Sequence, residues 1–183
     1  MELIGLLMIE HRLIEQIVKA LETELYHISH DNIAHPTFIY NAVDFFRTYA
    51  DRFHHGKEED ILFVELAKKP LNTEHKRIMG ELEEEHRYAR RTVGQLVSST
   101  EKWSNGEADA LLDIAESLKK LSELYPRHIL KEDKEFFHPC QEYFTKSERV
   151  KLLEAGYTFD QNFTNVIYQE RMKSLLEFGR HNL

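Results

Sequence analysis

Two stretches of this chain carry the same chemistry at the same spacing. Residues 10–12 and 85–87 both read Glu-His-Arg, while residues 54–63 (HHGKEEDILF) and 128–137 (HILKEDKEFF) each place a histidine four residues before a glutamate. The offsets agree: His11 and His86 are 75 residues apart, and His54 and His128, like Glu58 and Glu132, are 74 apart. A two-helix unit with one histidine on its first helix and an HxxxE on its second is therefore present twice. Residues four apart on an α-helix differ by about 40° in azimuth and about 6 Å in rise, so the His and Glu of one HxxxE converge beside the helix. Six inward ligands, His11, His54, Glu58, His86, His128 and Glu132, would give two metal ions mixed nitrogen and oxygen coordination, the carboxylates bridging and the histidines terminal. Imidazole plus carboxylate with positions left open suits iron or manganese, and zinc less obviously. Burying two carboxylates without cations would cost several kcal/mol each, so packing alone gives no reason for this pattern.

The repeat also sorts the neighbouring residues. Glu24/His27, Glu83/His86 and Glu135/His138 are ExxH pairs, another spacing used by di-metal helical bundles, but the positions one repeat before Glu83 and Glu135 hold Met8 and Ile61. His55 and Glu59 form a shifted HxxxE whose counterparts are Ile129 and Asp133, which makes them surface or supporting positions. Glu10, Glu15 and Glu85 are placed to orient ligand imidazoles, or else to lie in solvent. Tyr125, one turn before His128, is the candidate hydrogen-bond donor to a bound ligand, with simple packing as the alternative. His27, His30, His35, His75, His138 and His181 read as loop or surface residues, and Cys140 as a partly buried thiol. The acidic runs at 58–60 and 81–85 read mainly as solvated faces.

Four long elements must carry these ligands. Apolar residues recur at helical spacing from Leu3 to about His27, from about Thr37 to Ala67, from about Asn72 to Ser99 and from about Ala108 to Phe137. Gly56 marks a local irregularity in the second stretch, and Pro126 a kink in the fourth. WSNGEAD reads as a turn with a helix N-cap. Short connections make an all-α, up-down-up-down four-helix bundle over residues 1–144 the economical solution. Residues 145–183 read as a helical extension packing on or projecting from it, with a Thr145/Glu148 capping box, a stop at Gly156 and a further helical pattern in the tail.

Composition narrows the function. Lys plus Arg number 24 against 32 Asp plus Glu, a net charge of -8 with no basic stripe, which argues against nucleic acid. No apolar run approaches the ~18 residues that would span a bilayer, no export signal is visible, and one cysteine points to a reducing, cytoplasmic setting. Eleven histidines beside seven glycines and four prolines give a helical composition rich in metal-capable side chains.

At these residues the chain resembles the hemerythrin-like, HHE cation-binding family over about residues 5–155, through EHR, HHGKEEDILF, EHRYARR and HILKEDKEFFHP. The resemblance implies two iron ions in a non-haem, carboxylate-bridged and oxo- or hydroxo-bridged centre that meets O2, NO or peroxide. Classical oxygen carriers of the family have a second His four residues after the third-helix ligand and an Asp five after the last His; here those places hold Arg90 and Asp133, with Glu132 at i+4. The set looks like the four-His, two-Glu site of the hemerythrin-like iron-sulfur repair and nitric oxide stress proteins, without their cysteine-bearing N-terminal domain. Three functions follow: reversible binding or sensing with output to a protein partner through residues 161–183, a di-iron oxidoreductase acting on NO or peroxide, and iron storage or delivery.

Overall fold

The structure, a computed structural model, describes residues 2–161. Five helices account for nearly all of them: α1 (Leu3–Asp31), α2 (36–66), α3 (Thr73–Ser104), α4 (110–141) and α5 (Lys146–Gln161). There is no strand among the described residues. The tail pattern beyond Gln161, His181 and nearly all of the segment expected to meet a partner lie outside them.

Local chemistry sets the ends. α1 runs past His27 to Asp31, because nothing in His-Ile-Ser-His-Asp breaks a helix; it stops at Asn32, whose φ of 54° lies in the left-handed region that asparagine tolerates. Pro36 opens α2 at the first turn, where its missing N–H costs nothing. The Asn72 side chain caps α3 by accepting the His75 N–H at 2.7 Å. That helix continues to Ser104, and the chain turns at Gly106, φ 92°. Asp109 makes no side-chain cap bond, so the expected N-cap of α4 is absent. α4 passes through Pro126 as α-helix and changes pitch only at Glu132–Phe136, which is π-helical.

The Thr145/Glu148 capping box forms as expected, each residue accepting the other's backbone N–H at 2.9 and 3.3 Å. Gly156 does not end α5. The helix runs on to Gln161, and Gly156 is instead where α5 lies against α1: a Cβ there would stand 2.6 Å from Leu3 Cδ1.

α1 packs on α4, α4 on α3, α3 on α2 and α2 on α1, so each amphipathic stripe finds two neighbours, while α5 covers α1 and the C-terminal part of α2. The core is divided. One cluster holds Ile14, Ile17, Leu21, Phe38, Ile39, Phe46, Val93, Leu96, Ile114, Leu118 and Tyr125. The other holds Leu3, Leu7, Leu62, Phe63, Leu66, Leu82, Phe136, Phe137 and Leu152. Cys140 belongs to the second and is fully buried rather than partly so, which pushes its thiol up to about 12. Each of the first four helices changes cluster at the residues singled out above. No helix among the described residues is long and apolar enough to cross a membrane.

Phe159 of α5 leaves no room for a side chain at position 56, where a Cβ would lie 2.8 Å from its Cζ. Gly56→Ala is expected to lose about 1 kcal/mol net, overpacking outweighing the helix propensity gained. Gly80→Ala and Gly94→Ala, with nothing within 4 Å, should each gain up to about 1 kcal/mol. Urea midpoints of the three variants check the contrast.

Candidate metal centre

His11, His54, Glu58, His86, His128 and Glu132 come together between the two apolar clusters, none more than 3% exposed. Glu132 turns Oε2 toward His11 Nε2 at 3.1 Å and Oε1 toward His128 Nε2 at 3.3 Å and His86 Nε2 at 3.8 Å. Glu58 mirrors it, with Oε1 3.4 Å from His54 Nε2 and Oε2 3.5 Å from His86 Nε2. Glu132 thus turns one oxygen to the α1 imidazole and the other to those of α3 and α4, and Glu58 one oxygen to the α2 imidazole and the other to that of α3. None of these four oxygens, nor Nε2 of His11 or His54, has a hydrogen-bond partner. Bare oxygens and imidazole nitrogens converging in a buried layer are costly unless a cation satisfies them together, so the donor set fits a metal.

A seventh residue joins them. His55, expected at the surface or in support, is 1% exposed and stacks on His86, ring centroids 3.8 Å apart, with both nitrogens unpartnered. The donors fall into two groups, His55/His86/His128 and His11/His54/Glu58/Glu132, each with ligand atoms within 4.8 Å of one another. Backbone geometry explains it. On an ideal α-helix adjacent side chains diverge by about 100°, but α2 is π-helical over Phe46–His55 and again over Glu58–Phe63, and the wider turn keeps His54 and His55 both inside. The irregularity expected at Gly56 therefore lies on either side of it. A repeat comparison could not find His55, because its counterpart is Ile129; the signal was the doubled histidine with Asp51 four residues before it.

Carboxylates hold the far side of these rings. His11 Nδ1–H donates to Asp133 at 2.8 Å, His54 to Glu10 at 2.9 Å, His86 to Glu59 at 2.7 Å and His128 to Glu85 at 2.8 Å; Asp51 lies 3.6 Å from His55 Nδ1. In the four bonded rings this leaves Nε2 facing inward, those of His86 and His128 3.2 Å apart, the arrangement that supports metal-bound histidine. Cations brace the carboxylates: Arg12 on Asp133, Lys57 on Glu10, Lys131 on Glu85, and Arg90 on both Asp51 and Glu59. Glu10 and Glu85 thus orient imidazoles as expected, and Glu59 does so too, whereas Glu15 pairs with Arg12 at the surface. Of the other histidines, His35 is tied to buried Glu24 through both its backbone N–H and Nδ1, and His75 bonds the Tyr143 hydroxyl.

Protons stand in for cations in this geometry. Burial, then repulsion from Glu132, pushes Glu58 well above the usual carboxylate range. Burial acts the same way on Glu132 but is outweighed by His128, His11 and His86, which hold it well below. Burial would lower His11, but Asp133 and Glu132 outweigh it and lift it to about 9. Burial, then repulsion from His11 and His55, drops His54 well below its ordinary value, and burial with His86 beside it drops His55 to about 3. Glu10 rises to about 7 because burial outweighs Lys57.

The sequence profile described as "Hemerythrin HHE cation binding domain" matches residues 2–139. The chain belongs to this hemerythrin family. Searches among curated proteins and solved structures returned no match. Family membership and the buried His/Glu groups agree on a metal-binding helical domain. Within this hemerythrin domain a cavity of about 280 Å³ opens beside His55, lined by Phe46, Asp51, Ala89, Arg90, Val93 and Tyr125 among others. Tyr125 is buried and stacked on Phe46, centroids 5.0 Å apart, and its ring lies 6.5 Å from those of His55 and His128. Burial raises its pKa, so the phenol keeps its proton.

Proposed function

We propose that this hemerythrin domain, an up-down-up-down four-helix bundle carrying a C-terminal extension, holds two iron ions and uses them to bind or react with O2, NO or peroxide. The carrying observation is the pair of carboxylates that each face imidazoles on both sides with no hydrogen bond of their own. His11, His54, His86 and His128, with Glu58 and Glu132, would hold the ions. His55, grouped with His86 and His128, would add a further imidazole donor.

Bound iron would supply the electrons and the Lewis acidity for a small oxidant. The chain's own residues do the rest. Asp133, Glu10, Glu59 and Glu85 keep the Nδ1 protons in place so that Nε2 remains a donor. Phe137, stacked on His11 at 5.8 Å, and Phe63, facing His86 at 6.2 Å, close the centre on the side of the second apolar cluster. The Tyr125 phenol, protonated beside the cavity, is a donor available to a ligand arriving there. Anaerobic reconstitution with ferrous iron, followed by separate additions of O2, NO and peroxide under optical observation, tests the reading. Spectral change with one of the three supports it; an iron-loaded chain inert to all three overturns the reactive part and leaves iron binding.

The seventh ligand has its own test. His55→Ala is expected to lower iron retention by at least tenfold after dialysis against a mild chelator, whereas His138→Ala leaves it unchanged. Equal retention in the two variants would return His55 to a packing role.

A further inference from the structure

α5 lies beyond the residues matched by the family profile, yet its last turn meets α2 at the two residues that separate the histidine pair from Glu58. Phe159 presses on Gly56, as its 2.8 Å approach to a Cβ position there shows. Beside it Lys57 is completely buried, its ammonium 3.6 Å from the centre of the Phe53 ring and shared between Glu10 of α1 and Asp160 of α5, the latter at 2.9 Å. The other oxygen of Glu10 accepts the Nδ1–H of His54. Asp160, Lys57, Glu10 and His54 form one line of charge-assisted hydrogen bonds from α5 to the Nδ1 side of the His54 imidazole.

Resting on the metal reading above, we propose that Asp160 is a positioning residue of the metal centre, and that docking of α5 and occupation of the His11/His54 position strengthen each other. An ammonium in a buried setting divides its attraction between the carboxylates it touches. With Asp160 taking part of Lys57, Glu10 keeps more electron density for the His54 Nδ1–H, which orients the ring and makes Nε2 a better donor. Without that charge Lys57 leans wholly on Glu10, and the hold on His54 weakens. In the other direction, a cation on Nε2 makes Nδ1–H more acidic and draws Glu10 toward His54. Lys57 then leans more on Asp160 and tightens α5. Thermodynamic linkage requires the two effects to be equal.

The unmodified chain gives the first test. Backbone hydrogen exchange in residues 152–161 is expected to slow about fivefold when ferrous iron alone is added anaerobically. Asp160 is 22% exposed, so Asp160→Asn should fold; it is expected to bind the same amount of iron, release it to an external chelator about tenfold faster, and lose the iron dependence of α5 exchange. Phe159→Leu loosens the apolar contact but keeps the carboxylate, and should speed release less. Iron-independent exchange in α5, wild-type release from Asp160→Asn, or equal release from the two variants overturns the proposal and leaves the metal centre standing. A chain that takes up no iron overturns both.

Discussion

Glu132→Ala is expected to leave less than one iron ion per chain after loading and desalting, where the wild type retains two. Glu132 approaches three imidazole nitrogens, one on α1 and two reached from the other oxygen, so its removal strips an oxygen donor from both metal positions at once. The loss should exceed the roughly 10–100-fold drop typical of removing a residue that only supports a ligand. Glu84→Ala, an exposed carboxylate paired with Arg87, controls for a general loss of negative charge and should retain both ions. Elemental analysis decides; two ions on Glu132→Ala would remove the bridging role from the centre.

The second large effect is that acid and metal act on stability in opposite senses. Without metal, Glu58, Glu10, His11 and His86 all have folded pKa values raised above their ordinary ones. For a raised group the stabilisation is fully present below the unfolded pKa and is lost as pH rises through the folded one. Glu10 therefore loses its share between about 4.5 and 7, and His11 between about 6.5 and 9. His54 and His55 are depressed and work the other way: their neutral forms favour the fold above 6.5 and cost stability as pH falls below it. Glu132 is depressed too, but its window lies below 4.5. Between pH 5 and 7.5 the losses at Glu10 and His11 are offset by the gains at His54 and His55, and the raised Glu58 and His86 tip the balance, so the metal-free chain is expected to be more stable at pH 5 than at pH 7.5. Iron needs the opposite protonation, with imidazoles neutral and carboxylates ionised, so the rise in Tm on loading should be larger at pH 7.5 than at pH 5. Equal increments, with metal retention confirmed, would show that these side chains are not the ligands.

Periodicity revealed the helices because each buries an apolar stripe, and the 74- and 75-residue offsets revealed six of the converging side chains because a duplicated site repeats its ligands. What the sequence hid came from departures from ideal repetition. His55 was hidden because α-helical geometry turns it outward and only the π-helical stretch of α2 brings it in, a backbone state with no residue code of its own. Glu59 and Asp133 looked like a failed repeat, yet they take the Nδ1 protons of His86 and His11 from across the bundle. Gly156 looked like a terminator because glycine often ends helices, whereas the approach of Leu3 is what requires it. Lys57 carried no signal at all: a lysine in a charged run is ordinarily solvated, and here Phe53, Glu10 and Asp160 of α5 enclose it.

The division of the core into two apolar clusters has a consequence for cooperativity. A bundle with one continuous core unfolds as a unit because every helix shares the same buried contacts. Here the halves meet across a layer of bare carboxylate oxygens and imidazoles, which weakens the seam whenever its cations are missing. The iron proposed above would act as a rivet across this seam. Bound, it would make one folding unit of two; lost, it would leave the half built on Leu3, Leu7, Leu62 and Leu152, with α5 attached, to open more readily than the other half.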